Sequence, residues 1–496
     1  MLQPGSSTAK KTFRPLNQIL LTAMLVSASA SPAWAADLLS ITRDALNNNA
    51  ELGSVNAQTG SVRAGLDIEQ GDLLPQIGAS GRLVHNRQYE SQESRVRPGV
   101  GTDAGEGSLG GATGEDSFNN VSLTLEATQA LFDARNRREV EVVERQVDQQ
   151  LYVLAATEQQ VVYDVSAAYF EILRAHDILE ARMAQERAIG RQLEQAREQF
   201  EVGLIAITEV EEARASFDQS RAERIAAESN LQVSFEQLER LTGQRYDSIE
   251  SLDNEMPIEP PIPSERDFWV STALESNPLV LAEQAGVAVS RSSVEVARAD
   301  RLPVVDAFAS YQFADSDVDA VTGHDSSSQL GLSISLPLYT GGRTQAGIRQ
   351  STYNLEASQY DFEAQRRGAI QQVRSLYTQV SNDVSTVEAR AQAIVSNQSA
   401  LDATRAGYEV GTRNIVDVLN AEQSLYNAIS NYAQARYDYV INLLALHQQA
   451  GTLDVEVIEE LNAWLDGESI TFTLPEERDD ADSVTDIGQR PQQPVE

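Results

Sequence analysis

The chain contains the same pattern twice, and this internal duplication limits its possible folds more than any other feature. The segment AREQFEVGLIAITEVEEARASF, which begins at Ala196, aligns without a gap with TRAGYEVGTRNIVDVLNAEQSL, which begins at Thr404. The same offset of 208 residues relates Gly243 to Gly451 near the ends of the two copies. A duplicated chain predicts a pseudo-symmetric molecule, so one repeat is the unit to be explained.

Each repeat is predicted to contain a helix, two strands and a very long helical hairpin. The first repeat covers residues 36–255 and the second covers 267–452. Between them, residues 256–266 (MPIEPPIPSER) contain prolines that exclude a helix and predict a semi-rigid connector. A mixed segment, expected to join an equatorial belt, follows at 453–474. The acidic tail 475–496 has almost no apolar residues and is predicted to be disordered.

The N-terminal residues 1–35 have the pattern of a secretory signal peptide. A basic region that includes Lys10 and Arg14 precedes an apolar stretch, and Ala33-Trp34-Ala35 provides a cleavage site of small residues. An uncleaved membrane anchor is disfavoured because a bilayer-spanning helix needs about 20 apolar residues. The mature chain is therefore expected to begin at Ala36. It contains no cysteine, which excludes disulfides and thiolate metal sites.

Four segments alternate strictly between apolar and polar residues, the pattern of strands with one face in lipid and one in water. They are QIGASGRLVH (76–85), VSLTLEATQ (121–129), VVDAFASYQF (304–313) and QLGLSISLP (329–337). A half-buried sheet of a soluble domain would show the same alternation. The long polar loops 86–120 and 314–329 favour a membrane barrel, because such loops are typical of its extracellular end.

Four strands cannot close a barrel, and an open sheet edge is not tolerated in lipid. Known barrels contain at least about eight strands. Copies of the chain must therefore combine their strands. Two copies would supply eight strands and three would supply twelve, and counting alone does not decide between them.

Helices are predicted for most of the remaining chain. Proline-free stretches run from Asp133 to about Val202 and from Gly341 to about Val410, each on the order of 100 Å long. The return helices, about 206–242 and 414–450, are half as long. The helix at about 37–72 is expected to stack on a return helix, so that two short helices together match one long helix.

Coiled-coil packing is predicted for the second return helix, because one stripe of side chains alternates between steps of four and three. The stripe consists of Leu425, Ile429, Tyr432, Arg436, Tyr439, Leu443 and Leu446. A plain coiled-coil rod without a lumen would have the same stripe. Arg436 makes one position in the stripe polar.

Charge and composition exclude several classes of function. The formal net charge of −36 argues against nucleic-acid binding and suits a solvated surface or a lumen that prefers cations. The four histidines are scattered, at His85, His176, His324 and His447, and no catalytic set or metal-ligand spacing is visible. We therefore expect neither an enzyme nor a cofactor. The alternative is a soluble periplasmic coiled-coil scaffold or adaptor, which the four alternating strands disfavour.

The repeated hairpin, the strand pairs and the strings FEVGLIAITEVEEARASF and YEVGTRNIVDVLNAEQSLYNA resemble the TolC family of outer-membrane channels over about residues 37–452. The resemblance implies a mixed α+β membrane protein, a homotrimer with a twelve-stranded outer-membrane barrel above a twelve-helix periplasmic tunnel. It also implies an exit duct for type I protein secretion, drug efflux or both in a Gram-negative cell. The duct would act with a periplasmic adaptor and an inner-membrane pump of the ABC or RND type.

The resemblance further implies a gate at the periplasmic end of the tunnel. Tyr408 and Arg413 correspond to its latch residues. Glu209 would accept a hydrogen bond from the tyrosine, and Thr208 would meet the arginine of another subunit. Asp417 would point into the constriction and form a ring of three carboxylates.

The chain departs from the family pattern at two of these positions. Glu209 replaces an aspartate, and Asn420 replaces the aspartate of a second carboxylate ring. Two local interpretations compete with the gate. Thr208 could be the N-cap of a capping box with Glu211, and Arg413 could simply interact with the C-terminal end of a helix dipole.

Overall fold

The computed structural model describes residues 36–89, 115–253, 256–316 and 323–471. The signal peptide, most of the first long loop and the acidic tail, all predicted from the sequence, lie outside these described residues. The helices and strands that follow are numbered in chain order.

Helices account for most of the described residues. They are α1 (Leu38–Asn48), α2 (Ala50–Gly71), α3 (Ala134–Glu201), α4 (Ile207–Thr242), α5 (Arg266–Ser276), α6 (Pro278–Ala299), α7 (Arg343–Glu409), α8 (Ile415–Ala450) and α9 (Val455–Asn462). The strands are β1 (Gln76–Tyr89), β2 (Glu115–Phe132), β3 (Ser248–Leu252), β4 (Val304–Ser316), β5 (Gly323–Ser335) and β6 (Leu465–Thr471). These elements form a four-stranded sheet, a long helical body and a small two-stranded sheet beside that body.

The predicted long helices and return helices are confirmed nearly to the residue. The α3 helix has 68 residues and α7 has 67. Asp133 begins α3 as its N-cap, because its carboxylate accepts hydrogen bonds from the backbone N–H groups of Arg135 and Asn136. Gly203 and Gly411 follow α3 and α7, each with φ of 76°, a conformation that glycine adopts without strain.

The larger sheet is antiparallel with the strand order β1-β2-β4-β5. Its register pairs Leu83 with Val121 and Ala309 with Leu330, which brings the apolar positions of neighbouring strands onto one face. The strands are longer than the predicted 9–10 residues, up to 18 residues in β2. They extend into the polar loop segments because ladder hydrogen bonds join backbone groups and do not require apolar side chains.

One face of this sheet is apolar and is left exposed by the rest of the described chain. Leu330, for example, is 87% exposed. The other exposed apolar residues of the sheet include Ile77, Leu83, Val121, Leu123, Leu125, Leu332 and Ile334. Both edge strands, β1 and β5, also lack a second partner strand within the described part of the chain. Such a sheet needs both an apolar environment and further strands.

The single helix predicted over 37–72 is wrong in one respect, because the chain breaks at Asn49. Asn49 is extended (φ −63°, ψ 124°), ends α1 and caps α2 with its side chain. Its amide also donates to the carbonyl of Leu241 at 3.0 Å, at the end of α4. In the second repeat, Asn277 caps α6 and donates to Gln449 O at 2.8 Å. An asparagine therefore joins each short helix to its return helix.

This break reduces the predicted match in length between stacked and long helices. The 22 residues of α2 and the 36 residues of α4 together are shorter than the 68 residues of α3. The α1 helix instead packs on α9, where Leu39 N–H donates to Asn462 Oδ1 at 3.1 Å. Together with the antiparallel pair β3–β6, α1 and α9 form a belt beside the helical body.

The main core lies where the belt packs on the middle of the helical body. Tyr169 of α3 is fully buried, and its hydroxyl donates to Glu250 O of β3 at 2.6 Å. Arg436, the polar member of the predicted stripe, is buried and donates to Asp253 O at 2.8 Å. The stripe is therefore a packing surface, as predicted. In the described ranges no helix is both long and apolar enough to cross a membrane.

Candidate functional site

The candidate gate residues lie at the tips of two helical hairpins, the first formed by α3 and α4 and the second by α7 and α8. Both turns close with the same two backbone hydrogen bonds of a Schellman motif. They are Gly203 N to Phe200 O and Leu204 N to Gln199 O in the first turn, and Gly411 N to Tyr408 O and Thr412 N to Gly407 O in the second. The repeated sequence therefore gives both tips the same backbone.

Tyr408, one of the predicted latch residues, connects the second hairpin to the first. Its hydroxyl donates to Gln199 Oε1 of α3 at 2.8 Å. Burial raises the pKa of Tyr408, and the neighbouring Glu209 carboxylate adds to this rise. The hydroxyl therefore remains a hydrogen-bond donor at neutral pH. Glu209, the partner implied by the family, acts on Tyr408 through its charge, whereas Gln199 accepts the hydrogen bond.

The half-buried ring of Tyr408 packs against two apolar clusters at once. The seam cluster joins the first hairpin to α8 and consists of Ile189, Leu193, Ala196, Val210, Ala213, Ile415 and Leu419. The hairpin cluster joins α7 to α8 and consists of Leu401, Val418 and Leu425. Any movement of one hairpin relative to the other would therefore change the packing around Tyr408.

Arg413 and Asp417 lie at the start of α8, within one helical turn of each other. Asn414 caps this helix by accepting from Asp417 N–H at 2.9 Å, and the Asp417 carboxylate accepts from Asn414 N–H at 3.3 Å. Arg413 Nη1 is 3.8 Å from Asp417 Oδ2. A Cβ atom on Gly407 would lie 2.9 Å from Arg413 Cγ, so the glycine provides the space in which this side chain folds over the turn.

The capping box considered at Thr208 is wrong for the first repeat and occurs in the second. The α4 helix begins at Ile207, so its N-cap is Ala206, which has no side-chain acceptor. Asn414 occupies the equivalent position 208 residues later and forms the box with Asp417. Thr208 is exposed in the first turn of α4, and its pairing with an arginine of another subunit stays a prediction.

Asn420 lies one turn beyond Asp417 on α8 and is exposed. Its backbone carbonyl accepts from Ser424 Oγ at 2.8 Å, and its side chain bears no charge. Of the six residues predicted from the sequence, Tyr408 and Glu209 come together across the hairpins, and Arg413 and Asp417 come together within one.

Two further features of the site were not predicted from the sequence. Gln199 is the acceptor for Tyr408, and no local pattern identifies it because the contact joins residues 209 apart along the chain. The second is an ion pair between Arg405 and Glu422, 2.7 Å apart, whose carboxylate is fully buried. A sequence signal for it exists, since Glu422 lies between Leu419 and Leu425 on the apolar side of α8.

Above the tips, polar contacts connect α3 to α8 along the seam between the hairpins. Arg182 Nη1 donates to Asn427 Oδ1 at 3.0 Å, and Arg174 Nη1 donates to Asp438 Oδ1 at 3.0 Å. The Tyr437 hydroxyl donates to Asp177 Oδ2 at 2.9 Å. At the tips the same seam is mainly apolar and has Tyr408–Gln199 as its hydrogen bond. The part of the chain that the structure describes contains no acid–histidine group suited to a metal.

Comparison with known proteins identifies relatives along most of the chain. The family model for outer membrane efflux proteins matches residues 41–244 and 269–452. The outer membrane protein TolC of Vibrio cholerae serotype O1 is 32% identical over 441 residues, 88% of this chain and 95% of that protein. The alkaline protease secretion protein AprF of Pseudomonas aeruginosa is 30% identical over 347 residues, 69% of this chain and 72% of that protein.

Solved structures share the fold at lower sequence identity. CusC superposes with a TM-score of 0.70 at 18% identity, covering 89% of this chain and 99% of that chain. The outer membrane channel CmeC of Campylobacter jejuni superposes with a TM-score of 0.68 at 18% identity, covering 86% and 90%. These likenesses confirm the fold class predicted from the sequence, a long helical body joined to a partial barrel sheet.

Proposed function

The chain belongs to the outer membrane efflux protein family, and we propose that three copies of it form a gated duct for secreted proteins, drugs or both. The family is one of transport proteins, and the chain is an outer-membrane duct of the type I secretion and multidrug efflux kind. The finer statements, which concern assembly, partners and the gate, are proposals argued from the structure below.

The observation that carries the assembly is the four-stranded sheet with an exposed apolar face and two open edges. Lipid tolerates a sheet only when it closes into a barrel, because an unpaired backbone group finds no water there to bond. Pairing β5 of one copy with β1 of the next would satisfy both edges. Three copies then supply twelve strands, the number that the family resemblance implies, and the twelve helical segments of the tunnel wall continue below them.

The orientation follows from the same arrangement. With the sheet in the outer membrane, the helical body extends from the strand ends that adjoin α2, α3, α6 and α7, and α3 alone is on the order of 100 Å long. A body of that length reaches far into the periplasm. Export through the inner membrane would remove residues 1–35 by cleavage after Ala35.

The hairpin tips are the surface proposed to meet the periplasmic adaptor. Apolar side chains are exposed there on both hairpins. Leu204 is 74% exposed, and Val202, Ile207 and Val410 are also exposed. Exposed apolar patches of this kind are typical of surfaces that bind another protein. The adaptor would connect these tips to an inner-membrane pump of the ABC or RND type. The energy for transport would come from that pump, since a passive duct supplies none.

The gate is proposed at Tyr408, Arg413, Thr208 and Glu209, with Asp417 at the constriction. Tyr408–Gln199 fastens the second hairpin to the first within a subunit. Arg413 would meet Thr208 of the neighbouring subunit and so fasten adjacent subunits. Such contacts are worth only about 0.5–3 kcal/mol each, so an adaptor that prefers the open state can shift the equilibrium.

The constriction is expected to bind cations weakly. Three copies of Asp417 near an axis would attract cations, but each carboxylate also lies near Arg413, and Asn420 adds no second ring. Asn420→Asp should therefore lower the concentration of a divalent cation needed for half-maximal block by about tenfold, measured on single channels. Asn420→Ser is the neutral control. An unchanged blocking concentration in Asn420→Asp would mean that residue 420 does not face the pore.

The proposed function is tested by extracting the protein from membranes and recording single channels in a planar bilayer. We expect extraction only with detergent, a trimer in solution, and small cation-selective steps. Release into buffer without detergent, or a folded protein that forms no channels, would instead support the soluble periplasmic scaffold.

A further inference from the structure

The contact between α7 and α8 contains an ion pair in which the carboxylate is buried and the 40% exposed arginine is not. Arg405 Nη2 lies 2.7 Å from Glu422 Oε1, and the Glu422 side chain is 0% exposed. Leu401 of the hairpin cluster lies one helical turn from Arg405, and Val418 and Leu425 lie one turn on either side of Glu422. Among the ion pairs formed by described residues, this one has a completely buried carboxylate.

A buried carboxylate depends strongly on its ion-pair partner. Glu422 Oε2 and Arg405 Nε are buried without a hydrogen-bond partner in the described structure, so the Nη2–Oε1 contact alone joins the two groups. Separating α7 from α8 here would break the ion pair that compensates the buried Glu422 carboxylate, which is more costly than losing an exposed ion pair. Arg405 lies three residues before Tyr408, within one helical turn. The ion pair therefore holds the turn of α7 that contains Tyr408 against α8.

The internal repeat shows that this pair is particular to the second hairpin. At the offset of 208 residues, Arg405 corresponds to Arg197 and Glu422 corresponds to Arg214. Both arginines of the first hairpin are exposed, and like charges cannot form an ion pair. The two hairpins share their turn geometry, so neither the turn nor the duplication explains the pair.

We propose that Arg405 and Glu422 are positioning residues of the gate, whose ion pair makes α7 and α8 move as one body. The inference rests on the gate proposed above and adds which contacts break when it opens. Tyr408 contacts both apolar clusters, so it could in principle leave either neighbour. With α7 fastened to α8, the hairpin cluster stays intact and Tyr408 separates from Gln199 and the seam cluster.

The first test removes the pair and measures the open fraction of single channels. Arg405→Gln should raise the open fraction about tenfold, because α8 can then move while Tyr408 keeps α7 on α3. Arg197→Gln, the equivalent change in the first hairpin, is the matched control and should leave it unchanged. In a Tyr408→Phe background, Arg405→Gln should add little. An additive effect would indicate general destabilisation and overturn the positioning role, as would an unchanged open fraction in Arg405→Gln.

The second test uses covalent cross-links, so its outcome does not depend on how much the loss of the ion pair destabilises the protein. The chain has no cysteine, so paired cysteines can be joined selectively by a short bis-maleimide. In channels opened by Tyr408→Phe/Arg413→Ser, joining Arg405→Cys to Glu422→Cys should leave the conductance high. In a separate variant, joining Gln199→Cys to Tyr408→Cys should keep the channel closed. If the link between positions 405 and 422 closes the channel, the helices must separate during opening and the proposal fails. Absence of channels in the unmodified protein would refute the proposed function instead.

Discussion

Channels of the Tyr408→Phe/Arg413→Ser variant should conduct severalfold more current than those of the unmodified protein. Phenylalanine keeps the ring between the seam and hairpin clusters and removes only the hydroxyl that donates to Gln199. Serine removes the guanidinium that lies near Asp417 and that is proposed to meet Thr208 of the next subunit. The variant therefore loses the latch contacts while the apolar packing is retained.

The size of the expected increase in current follows from the presence of three copies of the latch around the pore. A net hydrogen bond contributes about 0.5–1.5 kcal/mol, and in a trimer the Tyr408 bond is lost in three places. Added over three copies, the loss reaches several kcal/mol, enough to shift the balance between closed and open states on the order of a hundredfold. A gate that is almost always closed would then be open for much of the time.

The measurement is the open fraction and time-averaged current of single channels in a planar bilayer, with thermal stability of the trimer recorded on the same samples. Tyr360→Phe is the control, since Tyr360 is an exposed tyrosine on the same helix, α7. It should leave the current unchanged. If the double variant and the control both conduct like the unmodified protein, the constriction lies elsewhere. If the variant loses thermal stability in proportion to its gain in current, the residues are structural rather than parts of a latch.

Local signals explain why so much of the fold could be predicted from the sequence. Asp133 at the start of α3, and Gly203 and Gly411 after α3 and α7, act on neighbouring backbone groups, so the bounds of the helices can be read from the residues themselves. Alternation similarly identified the four strands of the larger sheet. The break at Asn49 was missed although the run Asn47–Asn49 has low helix propensity and asparagine is a preferred N-cap. The contact that accompanies the break, with Leu241 at the far end of the repeat, cannot be read from local sequence.

The candidate site was less predictable because its contacts join distant parts of the chain. Tyr408 and Arg413 were found from the family resemblance, whereas Gln199 became evident only when the two hairpins were seen side by side. Glu209 and Asp417 occupy equivalent positions in the two repeats. Ala206 leaves α4 without the side-chain cap that Asn414 provides for α8, so equivalent residues have acquired different local partners.

Gly451→Ala should prevent stable folding, whereas the equivalent change Gly243→Ala should be tolerated. Both glycines end a return helix with positive φ, 75° and 67°, and alanine in that conformation costs about 1–3 kcal/mol. Only Gly451 is also enclosed. A Cβ atom there would lie 2.4 Å from Ser276 O and 2.6 Å from Asn277 N, whereas at Gly243 the nearest atom would be 3.9 Å away.

The atoms that meet Gly451 belong to the backbone and cannot rotate away. They form the junction between α5 and α6, where Asn277 caps α6 and donates to Gln449 O. A methyl group would push this junction off the end of α8 and break both contacts. The cost should therefore exceed that of Gly243→Ala by several kcal/mol, within the range in which single substitutions abolish folding.

The comparison is made by the amount of heat-stable trimer recovered from the outer membrane and by its melting temperature in detergent. Gly243→Ala supplies the cost of positive φ alone, so the difference between the two variants isolates the close approach of α8 to the α5–α6 junction. Equal losses would show that the junction can move away from Gly451 at little cost. That result would also remove Asn277–Gln449 from the contacts that stack α6 on α8, because a junction free to move cannot fix the angle between them.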